Sequence, residues 1–157
     1  MKLLIKQRVF SWGDKYDIYD ERGSKKYFVK SEIFSFGHNI HVYDLANNEV
    51  SSIKQHLFTF LPRFEIIVKG MSMGLIEKKF TLFRPKYELR CNGWNIVGDV
   101  FGWDYDISDS SGRTVMRISK ELFNWGDTYA LNIYEPQNEI LGLTIAIAID
   151  AANCSNK

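Results

Sequence analysis

Six basic residues crowd two short stretches of this chain: Lys54 and Arg63 in KQHLFTFLPRFEI, and Lys78, Lys79, Arg84 and Lys86 in EKKFTLFRPKYEL. Arg63 and Lys86 each follow a proline at equivalent places in the two stretches. A guanidinium offers a planar fork of donors and an ammonium a compact point charge, so together they suit a phosphorylated headgroup or another anion. Lys78 and Lys79 are adjacent and fall on opposite faces of any strand, so the six cannot all converge. Glu65, Glu77 and Glu88 share these stretches. The plainer reading is therefore a solvated, internally neutralised rim.

Other chemistry has weaker support. Asp14 and Asp127 recur in WGD turns, where an aspartate bonds nearby backbone without any catalytic role. His38 and His41 stand three apart and do not share a strand face, and neither they nor His56 belong to a ligand motif. Ser72 in GMSMG reads as a loop serine with no visible base. The chain carries no nucleophile elbow, no P-loop and no dinucleotide fingerprint. No catalytic residue, metal or cofactor is expected. An enzyme working at the mouth of the fold would need a concave pocket with convergent polar groups.

Composition narrows the partners. A chain of 157 residues with 45% hydrophobic and 25% charged residues is one ordinary globular domain. Its net charge of +1 provides no global field for nucleic acid. Aromatic and basic residues do alternate in KKFTLFRPKY, as on a single-strand stacking surface, but the balanced charge argues against it. Cys91 and Cys154 make no disulfide or metal framework. The start MKLLIKQRVF lacks a signal-peptide pattern, and no apolar run reaches the roughly 20 residues a bilayer needs. The expectation is a cytoplasmic protein, peripheral to the membrane if it meets one, whose partner is an anionic lipid headgroup or another protein.

The elements that must position these residues show as a repeat. One phrase returns six times: FSWGDKYDI, FSFGHNIHV, FTFLPRFEI, TLFRPKYEL, FGWDYDI and FNWGDTYAL. Each copy is an aromatic strand end, a tight polar turn and an alternating strand. YDIYDERGSKKYFVKSEIFSFG from Tyr16 aligns without a gap on YDISDSSGRTVMRISKELFNWG from Tyr105. Six hairpins give about twelve strands, near 3–10, 15–20, 25–34, 39–45, 49–60, 63–69, 75–83, 86–91, 94–101, 104–109, 114–123 and 128–135. EILGLTIAIAIDAA is apolar on every face, which suits a helix buried all round. Asn138 is placed to cap it and Glu139 to sit in its first turn. The expected organisation is one domain over 1–150, with the helix at about 138–150 and a polar tail at 151–157.

Twelve sequential antiparallel strands predict a closed barrel, since closure removes aggregation-prone edges. A barrel that wide cannot be filled by its own side chains, so the C-terminal helix is the expected plug. Alternate turns then gather Trp12, Phe36, Phe60, Phe83, Trp103 and Trp125 at one rim. They read either as an aromatic collar for lipid or ligand, or as rings packed over the core; the second is the more economical.

KQRVFSWGDKYDIYDERG, SFGHNIHVYD, KQHLFTFLPRFEI, KKFTLFRPKYEL, WNIVGDVFGWDYDI, ISKELFNWGDTYAL and LGLTIAIAID together resemble the LURP-one-related proteins, in particular their bacterial YxjI-like branch. The resemblance runs from about Lys6 to Asp150. It implies a fold similar to tubby C-terminal domains and phospholipid scramblases, a twelve-stranded barrel around a hydrophobic C-terminal helix. It also implies a non-catalytic binding or scaffold module that contacts anionic phospholipid headgroups, or a protein–protein adaptor that ignores lipid. Plant members are linked to pathogen defence and tubby proteins to phosphoinositides. Scramblase-type anchoring is not supported, for want of a membrane-length tail or a cysteine cluster.

Overall fold

The computed structural model describes residues 1–6, 15–34, 37–83, 86–123 and 126–154. The strands are β1 Lys2–Lys6, β2 Lys15–Asp20, β3 Lys25–Phe34, β4 Gly37–Asp44, β5 Glu49–Gln55 and β6 Arg63–Val68. They continue as β7 Met71–Lys79, β8 Lys86–Cys91, β9 Asn95–Asp99, β10 Asp104–Ser108, β11 Thr114–Phe123 and β12 Gly126–Ile133. A single turn of 3-10 helix, Pro136–Asn138, leads into α1, Glu139–Cys154.

The meander runs β8 back to β1, then β12 back to β9, every pair antiparallel. The ends of the chain meet where β1 pairs with β12, Leu3 opposite Leu131. One seam stays open, between β8 and β9, which are consecutive in sequence yet not hydrogen-bonded to each other. The twelve-stranded antiparallel barrel expected from the repeat forms, but it is nearly closed rather than closed. Alternation explains the core: Ile18, Val29, Ile40, Ile53, Phe64 and Ile107 are fully buried, each between half-buried or polar neighbours.

The gapless repeat extends to hydrogen bonds. Ladder slips fall between Ile18 and Tyr19 in β2 and between Ile107 and Ser108 in β10, which are equivalent positions. Asp20 Oδ1 accepts the N–H groups of Arg22 and Ser24. Asp109 Oδ1 accepts those of Ser111 and Arg113 in the same way. Gly23 and Gly112 take the left-handed conformation in these turns, at φ 79° and 84°.

Several expected strand limits shift by a few residues, β7 ending at Lys79 rather than 83 among them, and two shifts bear on the site. β5 stops at Gln55 rather than running to 60, because the His56 N–H bonds the Arg63 carbonyl at 2.9 Å and closes a loop there. β7 begins at Met71, so GMSMG is strand and not loop. A slip between Ile66 and Ile67 with Gly74 at φ 145° absorbs the irregularity. Ser72 donates to the Glu65 carboxylate.

α1 fills the barrel. Its residues from Leu143 to Ile149 are buried on every side, as its uniformly apolar composition requires. It runs on past Asp150 to Cys154 because Ala151 and Ala152 are buried too. Thr144 Oγ1 lies 2.6 Å from the Ile140 carbonyl and 2.7 Å from Ser51 Oγ on the wall. A hydroxyl has one proton, so Thr144 donates to Ile140 and accepts from Ser51. At its N-terminus the Glu139 carboxylate accepts the Tyr27 hydroxyl at 2.9 Å and the Lys26 ammonium at 2.5 Å.

Candidate binding rim

The meander sends the β5–β6, β7–β8 and β9–β10 connections to one end of the barrel, with the C-terminal turn of α1 beneath them. Loop 56–62 is pinned at its base by the His56–Arg63 backbone bond, and the Thr59 hydroxyl donates to the His56 carbonyl at 3.3 Å. Pro62 contributes its carbonyl, which accepts the Lys78 N–H at 3.0 Å and ties this loop to β7. What the pinned loop holds out is apolar. Phe58 is 102% and Phe60 94% exposed, and in the neighbouring loop Phe80 is 75%, Leu82 84% and Phe83 94% exposed. Phe58 also adopts φ 61°, a strained conformation for a bulky residue and one concentrated at functional positions.

The aromatic rim therefore divides. Phe60 and Phe83 project into solvent, contrary to the packed-ring expectation, because β5 and β7 end before them and no strand carries them over the core. Trp103 does pack: its ring stacks on Tyr129 at 3.8 Å. Trp12, Phe36 and Trp125 lie outside the described residues.

The basic candidates stand just behind the loops. Ile53, Phe64, Ile76 and Leu89 face the core, so strand alternation places Lys54, Arg63, Lys79 and Lys86 on the outer wall and Lys78 on the opposite face. Arg84 lies outside the described residues. Arg63 Nη2 pairs with Glu77 at 3.2 Å, and Lys79 Nζ lies 2.8 Å from Glu88 and 3.6 Å from Glu77. Arg90 first, then Lys79, hold the Glu88 carboxyl down to about 2. Arg63 does most to lower Glu77, and Ser72 and then His56 lower Glu65. Lys54 faces Glu65 across the ladder. The described five thus form no single cradle: Arg63 and Lys79 are answered by carboxylates, and Lys54, Lys78 and Lys86 make no ion pair among the described residues.

Below the rim, tyrosines from both half-repeats surround the end of α1. Burial first, and the Asp150 charge second, raise the hydroxyls of Tyr16 and Tyr105. Burial likewise pushes Tyr87 up to about 12. The Tyr105 and Tyr87 hydroxyls are enclosed without a hydrogen-bond partner among the described residues. Two of the three histidines pair with carboxylates, His41 with Glu49 at 2.8 Å and His56 with Glu65 at 3.1 Å. No cluster of metal-ligating side chains occurs among the described residues, and no helix there is long and apolar enough to cross a membrane.

The exposed loop tips were the part that sequence reasoning missed. HLFTFLP and KFTLF break the in–out alternation with consecutive apolar residues beside a proline, which is the signal a protruding apolar loop leaves.

The fold has a counterpart in the X-ray structure of an Arabidopsis thaliana protein, with a TM-score of 0.63 over 96% of this chain and 90% of that one at 13% identity. The uncharacterized protein YxjI of Bacillus subtilis is 32% identical over 151 residues, spanning 96% of this chain and 92% of its own. The sequence profile of the LURP-one-related proteins matches residues 1–150. The chain belongs to the LURP-one-related family.

Proposed function

We propose that this protein is a non-catalytic module that docks on anionic lipid surfaces through the rim of its barrel. The observation that carries this reading is the set of Phe58, Phe60, Phe80, Leu82 and Phe83, all at least three-quarters exposed on two neighbouring loops. A contiguous apolar patch of this kind marks an interaction site. Here the apolar groups sit at loop tips with lysines a step behind. Tips of that kind enter the acyl boundary while lysines reach the headgroup layer.

Magnitudes rank the two contributions. Burying a Phe or Leu side chain fully contributes about 1.5–3 kcal/mol. A lysine near an anionic leaflet contributes about 1 kcal/mol, less where it is already ion-paired. Lys54 and Lys86 on the outer wall make no ion pair among the described residues, so the loop tips dominate and these lysines set lipid preference.

Co-sedimentation with phosphatidylcholine vesicles and with vesicles containing phosphatidylserine tests this. The protein is expected to pellet with both, more with the anionic ones, and salt should weaken the binding without abolishing it. Phe60→Asp with Phe83→Asp should leave it in the supernatant while its melting temperature is unchanged. Parent protein that stays in solution with every vesicle would falsify the reading and favour a protein partner for the same rim.

A further inference from the structure

The seam between β8 and β9 is a second feature of this rim. At the far end the Trp94 N–H bonds the Cys91 carbonyl at 2.9 Å and holds the two strands together. Towards the rim the strands part around a cleft of about 460 Å³, whose lining includes Lys86, Tyr87, Ile96, Asp99, Val100 and Phe101. That volume lies in the range of small-molecule sites, roughly 300–1,000 Å³. The Tyr87 and Phe101 rings meet across the mouth at 6.2 Å, so an aromatic contact spans the seam where no backbone bond does.

The polar groups of the cleft are unequal. Tyr87 keeps a buried hydroxyl without a partner among the described residues, a state that costs stability. The Asp99 carboxylate is engaged by its own turn, accepting the Phe101 and Gly102 N–H groups at 3.1 and 3.0 Å. Lys86, the cation of the lining, has no ion pair among the described residues, while Lys79 opposite it in the ladder is taken up by Glu88 at 2.8 Å, so the ammonium of Lys86 is the group left to meet a negative charge. An added peptide strand is a poorer fit. β9 is five residues long and carries Gly98 at φ 121°, which blunts it as a template.

We propose that this cleft binds a single-chain anionic amphiphile, of which a long-chain carboxylate is the simplest. The chain would lie along Ile96, Val100 and Phe101 against the Tyr87 ring, and the head at the mouth beside the Lys86 ammonium. The cleft opens beside Phe80 and Phe83, so a membrane would load it directly. That route rests on the docking reading; occupancy of the cleft does not.

A dansyl-labelled fatty acid below its micellar concentration, displaced by oleate, reads occupancy without any membrane. The expected result is saturable binding that oleate competes away and the uncharged dodecyl maltoside does not. Ile96→Trp fills the cleft and should weaken oleate by about tenfold or more, and Lys86→Glu should do the same by reversing the charge. Phe60→Asp with Phe83→Asp should leave oleate affinity unchanged, and Ile96→Trp should still pellet with vesicles, which separates the two sites. If Ile96→Trp does not melt cooperatively, Lys86→Glu carries the test. Absence of saturable binding by the parent, or equal competition by dodecyl maltoside, overturns the proposal. Oleate affinity that is unchanged in folded Ile96→Trp or Lys86→Glu overturns it as well.

Discussion

The Thr144 hydroxyl sits 2.7 Å from that of Ser51, a polar bond made in the middle of an apolar interior between the helix and the wall around it. It fixes the helix along its own axis, which packing of similar Ile and Ala side chains does weakly. Removing one partner strands the other. Thr144→Val, close to isosteric, should destabilise by about 1–3 kcal/mol because the Ser51 hydroxyl loses its acceptor. Thr144→Val with Ser51→Ala should recover much of that loss. A urea-unfolding double-mutant cycle measures the coupling, and purely additive effects would show that the bond does not position the helix.

The plug itself is tested at Ile145, which is fully buried. Ile145→Asp places a carboxylate where Leu, Ile and Ala side chains surround it, at a cost of several kcal/mol, on the order of a small domain's whole stability. The variant should lose cooperative thermal unfolding, while Ile145→Leu keeps it. A cooperative melt for Ile145→Asp near the parent temperature would mean that the barrel does not depend on its helix.

Gly74 makes a backbone prediction. A Cβ there would lie 2.0 Å from the Arg90 carbonyl oxygen, and its φ of 145° is open mainly to glycine. The β7–β8 pairing must open to admit any side chain. Gly74→Ala should therefore destabilise by more than about 1 kcal/mol. Because β8 borders the open seam, hydrogen exchange should quicken in Lys86–Cys91 before it does in β2–β4.

Much of this was legible in the sequence, and the reasons are specific. Tyr16 to Gly37 repeats as Tyr105 to Gly126, and the same residues produce the same slipped ladder and the same aspartate-capped turn. The uniformly apolar EILGLTIAIAID had one place to go once twelve strands left a wide lumen. The open seam was not legible, since β8 and β9 carry ordinary strand residues around an ordinary turn. The fate of the aromatics was hidden for a related reason. A repeated aromatic is needed inside at Trp103, where Tyr129 awaits it, yet is held outside at Phe60 and Phe83, where the strands have already ended. Strand parity already separated Lys78 from Lys79, but the pairing of Arg63 and Lys79 with Glu77 and Glu88 depends on ladder register, which local pattern does not specify.

The interior also fixes how stability should respond to alkali. Burial pushes the Cys91 thiol up to about 11 and the Tyr87 hydroxyl up to about 12, and raises Tyr16 and Tyr105 as well. In the unfolded chain a thiol ionises near 8.5 and a phenol near 10. The native state therefore holds protons that the unfolded state has released, so stability falls as pH rises. The contribution is complete below about pH 8.5 and is lost through about pH 11–12. Acid should matter less, because the lowered carboxyls, Glu77 and Glu88 among them, lie at the surface where solvent screens their pairs. Melting temperature measured from neutral to strongly alkaline pH should hold and then drop, with tyrosinate absorbance rising together with the loss of structure. If Tyr16, Tyr87 and Tyr105 ionise near the ordinary phenol value while the melting temperature holds, the rim end of the lumen is open to water and the buried tyrosine cluster described above is wrong.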